Sequence, residues 1–387
     1  MSMIYDRGNE GHKKSPQEIC YFDNAATTKP SDVVLGEMAL AERELYFNSA
    51  ALYKQSLNVK REIANANEII KKRLTKSGEG ELVFTSGATE SNNMVILGKV
   101  TNQRQHMLVA AGEHSSVYAP SVNLQNNGFD VEYVPLLPCG EIDLHALRGL
   151  IRSNTALFVF GMVNSDTGTV QNASEIVRII RNENPRTHIH CDAVQGFCKF
   201  NFDVEKLGLD SASVSAHKVY GPKGVGALWI RKGVTLKPIM FGGAQQEYRP
   251  GTENNAAIIG FAAAVEIFDT AKYFDHIKSL HARLIKGLPF LGTTINGSNL
   301  NPYITNVGLP HNMLGQTVLN ALSAKGICVG LGSACASTSS KNRTLLAMGL
   351  PEAKTKQVLR ISFGIYNTLA EVDVFLKNLE EVLENLK

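Results

Sequence analysis

Ser213-Val-Ser-Ala-His-Lys-Val-Tyr-Gly-Pro-Lys-Gly-Val-Gly226 sets one lysine, Lys218, between a short β-prone run and a glycine-rich turn. Small residues precede it (Ala212, Ser213, Ser215, Ala216), and residues 225–230 downstream read as a buried strand. A lysine in such surroundings is partly desolvated. Desolvation penalises the ammonium and favours the free amine, the form that attacks a carbonyl. The same residues also suit an exposed turn lysine beside a glycine loop. This stretch alone does not choose between a Schiff-base lysine and that plainer reading.

Outward from it, strands and helices alternate. Short apolar runs at 82–84, 106–111, 131–136, 155–163, 187–191, 211–215 and 226–230 predict strands. Helical spacing recurs at 32–46, 57–75, 90–99, 115–125, 143–151 and 173–182, with one further turn of helix at 204–207. Buried strands separated by helices of this length predict an α/β fold with a doubly wound, mostly parallel sheet. In such sheets ligands sit beyond the carboxyl ends of the strands. Residues 85–89, His114, Asn164, Asp192 and Lys218 all fall just after predicted strands, which makes one shared site there the strongest expectation from pattern alone.

A long apolar helix at 256–268 follows the turn Arg249-Pro-Gly-Thr-Glu253, and the pattern then changes to helix, strands, helix, strand and a final helix. We expect a large domain over 16–259 and a smaller α+β C-terminal domain over 260–387, with 1–15 as an arm. The chain has 387 residues, a net charge of +3 and 44% hydrophobic residues. That length suits two lobes. The charge is too small to argue for nucleic acid or an acidic membrane, and no apolar run is long enough for a membrane span. The polar N-terminus lacks a secretory pattern. The six cysteines form no C-x-x-C pair, so we expect reduced thiols in a cytoplasmic protein.

Three stretches can carry chemistry besides Lys218. Thr85-Ser-Gly-Ala-Thr89 joins a strand to a helix N-terminus, where unpaired N–H groups attract an anion; an ordinary cap by Ser86 reads the same way. His188, His190 and Asp192 share one face of a strand by the period of two. Zinc could use such a set, but no second ligand cluster accompanies it, and we expect no metal. Asp192 instead suits a pyridine nitrogen, which a carboxylate keeps protonated. In Gly330-Leu-Gly-Ser-Ala-Cys-Ala-Ser-Thr-Ser-Ser340, Cys335 lies among small polar residues, as an accessible thiol or as an incidental cysteine in a linker. Arg360 sits in a β-prone run, suited to a carboxylate or to a structural ion pair.

Taken together, these motifs resemble the cysteine desulfurases of the class V pyridoxal-phosphate enzymes, which have the aspartate-aminotransferase-type fold. The resemblance is carried by Asp23-Asn-Ala-Ala-Thr-Thr28, Phe84-Thr-Ser-Gly-Ala-Thr-Glu-Ser91, Glu113-His114, Val163-Asn164, Asp192-Ala-Val-Gln195, Ser215 to Gly226, Arg249-Pro-Gly-Thr252, Gly332-Ser-Ala-Cys335 and Arg360-Ile-Ser-Phe363, in order along the chain. It implies pyridoxal 5'-phosphate as cofactor, in Schiff-base linkage to Lys218. It further implies that Asp192 pairs with the pyridine nitrogen, Gln195 bonds the ring hydroxyl and His114 stacks on the ring as a candidate acid or base. Ala88, Thr89, Ser215 and His217 would hold the phosphate, with Thr252 reaching the other subunit's phosphate in a homodimer. Asn164 and Arg360 would orient L-cysteine, and Cys335 would take its sulfur as a persulfide. The Gly-Ser-Ala-Cys form resembles the long-loop branch, which passes sulfur to an acceptor protein, an iron–sulfur scaffold or a tRNA thiolation enzyme. A related lyase acting on selenocysteine would share most of these residues. The sequence departs from the family pattern at Asn48-Ser-Ala-Ala-Leu-Tyr53 and at Ser165-Asp166, which bear on substrate entry rather than on the cofactor.

Overall fold

A computed structural model describes residues 19–102, 105–243, 246–298, 301–332 and 342–387. The chain enters as a two-residue strand, β1 (Cys20–Tyr21), followed by α1 (Asp32–Glu44) and α2 (Lys54–Leu74). An alternating series follows: β2 (Glu81–Thr85), α3 (Ala88–Lys99), β3 (His106–Ala110), α4 (Ser115–Asn126), β4 (Asp130–Val134), α5 (Leu144–Leu150), β5 (Thr155–Gly161), α6 (Ala173–Glu183), β6 (His188–Asp192), β7 (Ser211–Ser215) and β8 (Gly226–Ile230).

These seven strands make one sheet in the order β2-β8-β7-β6-β5-β3-β4. The pairs from β7 through β6, β5 and β3 to β4 are parallel, while β8 runs antiparallel to both β7 and β2. The expected α/β class with a mostly parallel sheet is what forms, with β8 reversed. Helices cover both faces, so the central strands are apolar on both. Leu108, Phe158 and Phe160 pack into one core with Ile63, Ile70 and Ile189. Their neighbours Met107, Leu157 and Val159 point the other way, into a second cluster with Met94 and Val95. The covering helices are one-sided: α2 buries Val59, Ile63, Ala66, Ile70 and Leu74, spaced three or four apart. Residues 204–207 differ from expectation. They form turns rather than helix, because Asp203 caps Glu205 and Lys206 and the chain then reverses at Gly208, at φ 78°.

Helix α7 (Asn255–Glu266) contains the expected boundary at Gly260 and contributes Ile258, Phe261 and Val265 to the first core. The remainder comprises α8 (Thr270–Gly287), β9 (Thr294–Asn296), β10 (Ile304–Gly308), α9 (Gly315–Ala324), β11 (Ile327–Cys328), α10 (Arg343–Ala347), α11 (Glu352–Thr355), β12 (Val358–Ser362) and α12 (Leu369–Asn385). β9, β10 and β12 form a three-stranded antiparallel sheet, and β1 pairs in parallel with β11. This part has its own core around Leu280, Val307, Leu359, Ile361 and Leu379. Phe22 belongs to it, with its ring 5.7 Å from Phe363 and 5.6 Å from Phe375. The described residues thus begin in the second core, at β1, and then enter the first. Among the described residues no helix is long and apolar enough to cross a membrane.

Candidate active site

A cavity of about 830 Å³ opens at the carboxyl ends of the parallel strands. Asp192 closes β6, Ser215 closes β7, Glu113 and His114 follow β3, Asn164 follows β5, and Ser86 to Thr89 link β2 to α3. The segment Asp23 to Thr27 and Arg360 of β12 complete the wall from the side of the second core.

Lys218 reaches this cavity because β7 ends in a single turn of 3-10 helix, Ala216–Lys218. Tyr220 then adopts φ 64°, held by a hydrogen bond from its N–H to Thr28 Oγ1 (2.8 Å). Lys218 Nζ donates to the carbonyls of Ala25 (2.5 Å) and Ala26 (2.6 Å). Burial, then the Arg360 guanidinium, pushes its pKa down to about 8, against the pull of Asp23 and Asp192.

Asp192 is held by donors on both oxygens. Oδ2 accepts from Asn92 Nδ2 (2.8 Å) and Oδ1 from Val194 N–H (3.1 Å). Asn92 in turn donates to Ser116 Oγ (2.8 Å), while its Oδ1 meets His190 Nε2 (2.9 Å). His188 and His190 do share the face of Asp192, and their rings meet at the Ser211 hydroxyl, 2.7 and 2.8 Å away. Burial pushes His190 down to about 3, so the ring is neutral and works as a hydrogen-bonding link.

His114 caps α4: its Nδ1 accepts from Ser116 N–H (3.2 Å). In the neutral ring the proton is therefore on Nε2, and burial lowers the pKa and favours that form. Glu113, which the sequence motif includes without a role, is half-buried on the cavity wall. Gly161 N–H donates to its Oε1 (2.8 Å), and burial raises its carboxyl to about 8. A Cβ on Gly161 would come within 2.9 Å of Oε2, so a side chain there would push the Glu113 carboxyl aside.

The helix N-terminus forms a cradle. Gly87 at φ 155°, ψ 171° precedes α3 and offers no side-chain cap, leaving the first N–H groups of the helix for a ligand. Ala88, Thr89, Ser215 and His217 line the same wall. His217 Nδ1 lies 3.2 Å from Thr27 Oγ1, and burial, then Lys218, lowers its pKa to about 4. Gly226 packs directly on this turn, where a Cβ would stand 2.7 Å from Gly87 Cα. Glu90 ties the cradle to Arg249 (3.0 Å). Thr252 is exposed and does not line the cavity.

Gln195 Nε2 donates to the Ala25 carbonyl (2.9 Å), and its Oε1 accepts from Lys199 Nζ (2.9 Å). Arg360 is buried; Nη2 pairs with Asp23 Oδ1 (2.7 Å) and Nη1 donates to the Ser165 carbonyl (3.1 Å), while among the described residues Nε has no partner. Asn164 spends its Oδ1 on the N–H groups of Asp166 (2.9 Å) and Thr167 (3.0 Å), and its Nδ2 donates to the Gly112 carbonyl (3.3 Å). Of the two sequence departures, Asp166 is buried and accepts from Thr344 Oγ1 (2.8 Å). Asn48 to Tyr53 lie away from the cavity, with Ser49 bonded to Glu253. Cys335 lies outside the described residues.

The reading of the sequence missed Asn92, Lys199 and Arg343. Arg343 lines the cavity with its guanidinium 4.2 Å over the Tyr118 ring. Nothing near it in sequence announces this, because Tyr118 is more than two hundred residues away. An open helix N-terminus, a partly desolvated amine and a doubly held carboxylate on one cavity fit pyridoxal phosphate, whose phosphate, aldehyde and ring nitrogen need those three groups.

The comparisons agree with this geometry. Residues 20–375 match the family Aminotransferase class-V. The chain belongs to the class-V aminotransferase family. Within that family it is similar to a cysteine desulfurase IscS 1 of Archaeoglobus fulgidus, 36% identical over 95% of this chain and 97% of the relative. It is 35% identical to a cysteine desulfurase IscS of Methanosarcina thermophila, over 98% and 95% of the two chains. Among solved structures, a NifS-like protein superposes with a TM-score of 0.87 at 36% identity, covering 95% of this chain and all of the other. The structure of SspA in complex with cysteine does so with a TM-score of 0.79 at 32% identity, over 90% of this chain and 100% of that one.

Proposed function

We propose that this class-V family member is a pyridoxal-phosphate-dependent cysteine desulfurase. The carrying observation is the half-buried Lys218 amine on the same cavity as Asp192 and the open N-terminus of α3. When bound, the cofactor supplies an electrophilic carbonyl and an electron sink. The chain's own residues do the rest. Lys218 Nζ, with its pKa near 8, is partly the free amine at neutral pH and can take up or return a proton. His114 carries a proton on Nε2. Arg360, whose side chain lines the cavity beside Asn164, offers a charged donor for the substrate carboxylate.

The overall change moves one sulfur atom. L-cysteine and the Cys335 thiol become L-alanine and a Cys335 persulfide; atoms and electrons balance without an external oxidant. A sulfur acceptor protein, an iron–sulfur scaffold or a thiolation enzyme, then collects that sulfur. In this reading 16–259 is the cofactor domain and 260–387, with the arm 1–15, is the domain that supplies Arg360 and Cys335. The active form is a homodimer in which Thr252, exposed in the single chain, reaches the partner's phosphate.

Feeding L-cysteine to the purified yellow protein tests this. The expected result is sulfide release with a thiol reductant and a persulfide on Cys335 by mass spectrometry. Cys335→Ala should keep the colour and lose the sulfide. A parent protein that releases no sulfide from cysteine but releases selenide from selenocysteine, with that release surviving Cys335→Ala, would replace this reading with a selenocysteine lyase.

A further inference from the structure

We propose that Lys199 is a positioning residue: its Nζ fixes which end of the Gln195 carboxamide faces the cofactor ring. This rests on the pyridoxal-phosphate reading of the cavity.

Lysines are seldom buried without a partner, yet Lys199 is only 4% exposed. Its polar contact among the described residues is Gln195 Oε1, at 2.9 Å. Its other neighbour is the ring of Tyr303, 5.6 Å from Nζ. Tyr303 packs against Phe200 and Phe274, which shield the ammonium from water. The backbone is bent to place it there. Cys198 adopts φ 61°, unusual for a residue with a side chain, and its carbonyl accepts from Thr270 Oγ1 (2.6 Å) and Arg73 Nη2 (3.4 Å). The chain therefore doubles back and sets Nζ on the residue four positions earlier.

A carboxamide has one accepting and one donating end. The Lys199 ammonium can only donate, so in that form it captures Oε1 and turns Nε2 the other way. One Nε2 hydrogen goes to the Ala25 carbonyl. The second remains for a ligand, and Gln195 lines the cavity. Reversing the amide would set N–H against ammonium and oxygen against carbonyl, losing both hydrogen bonds. Lys199 thereby selects the amide orientation that donates to an anionic ring oxygen. Burial, then Lys218 and Arg360, lowers the Lys199 pKa to about 7. A ring oxygen anion across the amide supplies the counter-charge.

The test is a double-mutant cycle on the full protein, read by cofactor affinity and by the pH midpoint of the bound cofactor's visible band. Lys199→Met should weaken pyridoxal phosphate binding about tenfold. It should also raise the midpoint by about half a unit, since a Gln195 N–H turned away from the ring oxygen no longer stabilises its anion and protonation is favoured. Lys199→Gln keeps an N–H donor and should hold affinity within about threefold of the parent. In a Gln195→Leu background, Lys199→Met should add nothing. Equal losses in both backgrounds would make Lys199 a core residue acting independently of Gln195 and overturn the proposal, as would an unmoved midpoint in folded Lys199→Met. A parent protein that takes up no cofactor would instead sink the cofactor reading, a result distinct from both.

Discussion

Lys218 shows how far a single residue can be read. Small neighbours upstream and a buried strand downstream argued for desolvation, and burial is the first cause of its lowered pKa. The second cause, Arg360, lies far along the chain and has no local signature. The direction matters for reactivity. Because the pKa falls from 10.5 to about 8, the free amine grows in as pH rises through about 8. The rate at which the apo-protein takes up pyridoxal phosphate should rise with a midpoint near that pH, measured by stopped-flow absorbance. A midpoint above 10 would mean that the amine is solvated. Glu113 and Asn92 lie within quoted motifs or strand-end helices, but their roles depend on Gly161, His190 and Asp192, so local sequence could not state them.

At the level of elements, the anion cradle depends on contact between two glycines that are distant in sequence. Gly87 occupies a backbone region open only to glycine, and Gly226 leaves the space for it. Gly226→Ala would force a methyl group to 2.6 Å from the Val214 carbonyl and against Gly87. We expect a loss of about 1–3 kcal/mol in stability. The phosphate affinity of the α3 N-terminus should fall further, seen as weaker pyridoxal phosphate binding at unchanged Lys218 reactivity toward pyridoxal. Equal losses for both aldehydes would place the damage elsewhere. The β6 histidines illustrate the complementary point. Their shared face followed from the strand period, but that Ser211 joins them depended on β7 lying beside β6.

In the whole molecule, two cores meet at the site, and the N-terminal strand ties them. Phe22 sits in the second core, while Asp23 and Ala25 a few residues later hold Arg360 and Lys218. Phe22→Ala should cost about 3–5 kcal/mol through the cavity it leaves. Hydrogen exchange should locate that loss in β10 and β12, with β5 and β6 protected as before. Uniform acceleration across both sheets would show that the two cores unfold as one.

The sequence by itself determined the alternation of strands and helices, the α/β class and the strand-end positions of the chemical residues. These follow from hydrophobic period and from turn residues, which act over a few positions. Only the tertiary structure decided the strand order, the reversal of β8, the pairing of β1 with β11 and the partners of Lys218, Gln195 and Arg360. Most of those depend on contacts between segments far apart along the chain, such as Lys218 with Ala25 and Arg360 with Asp23, whose cost and gain no local window contains.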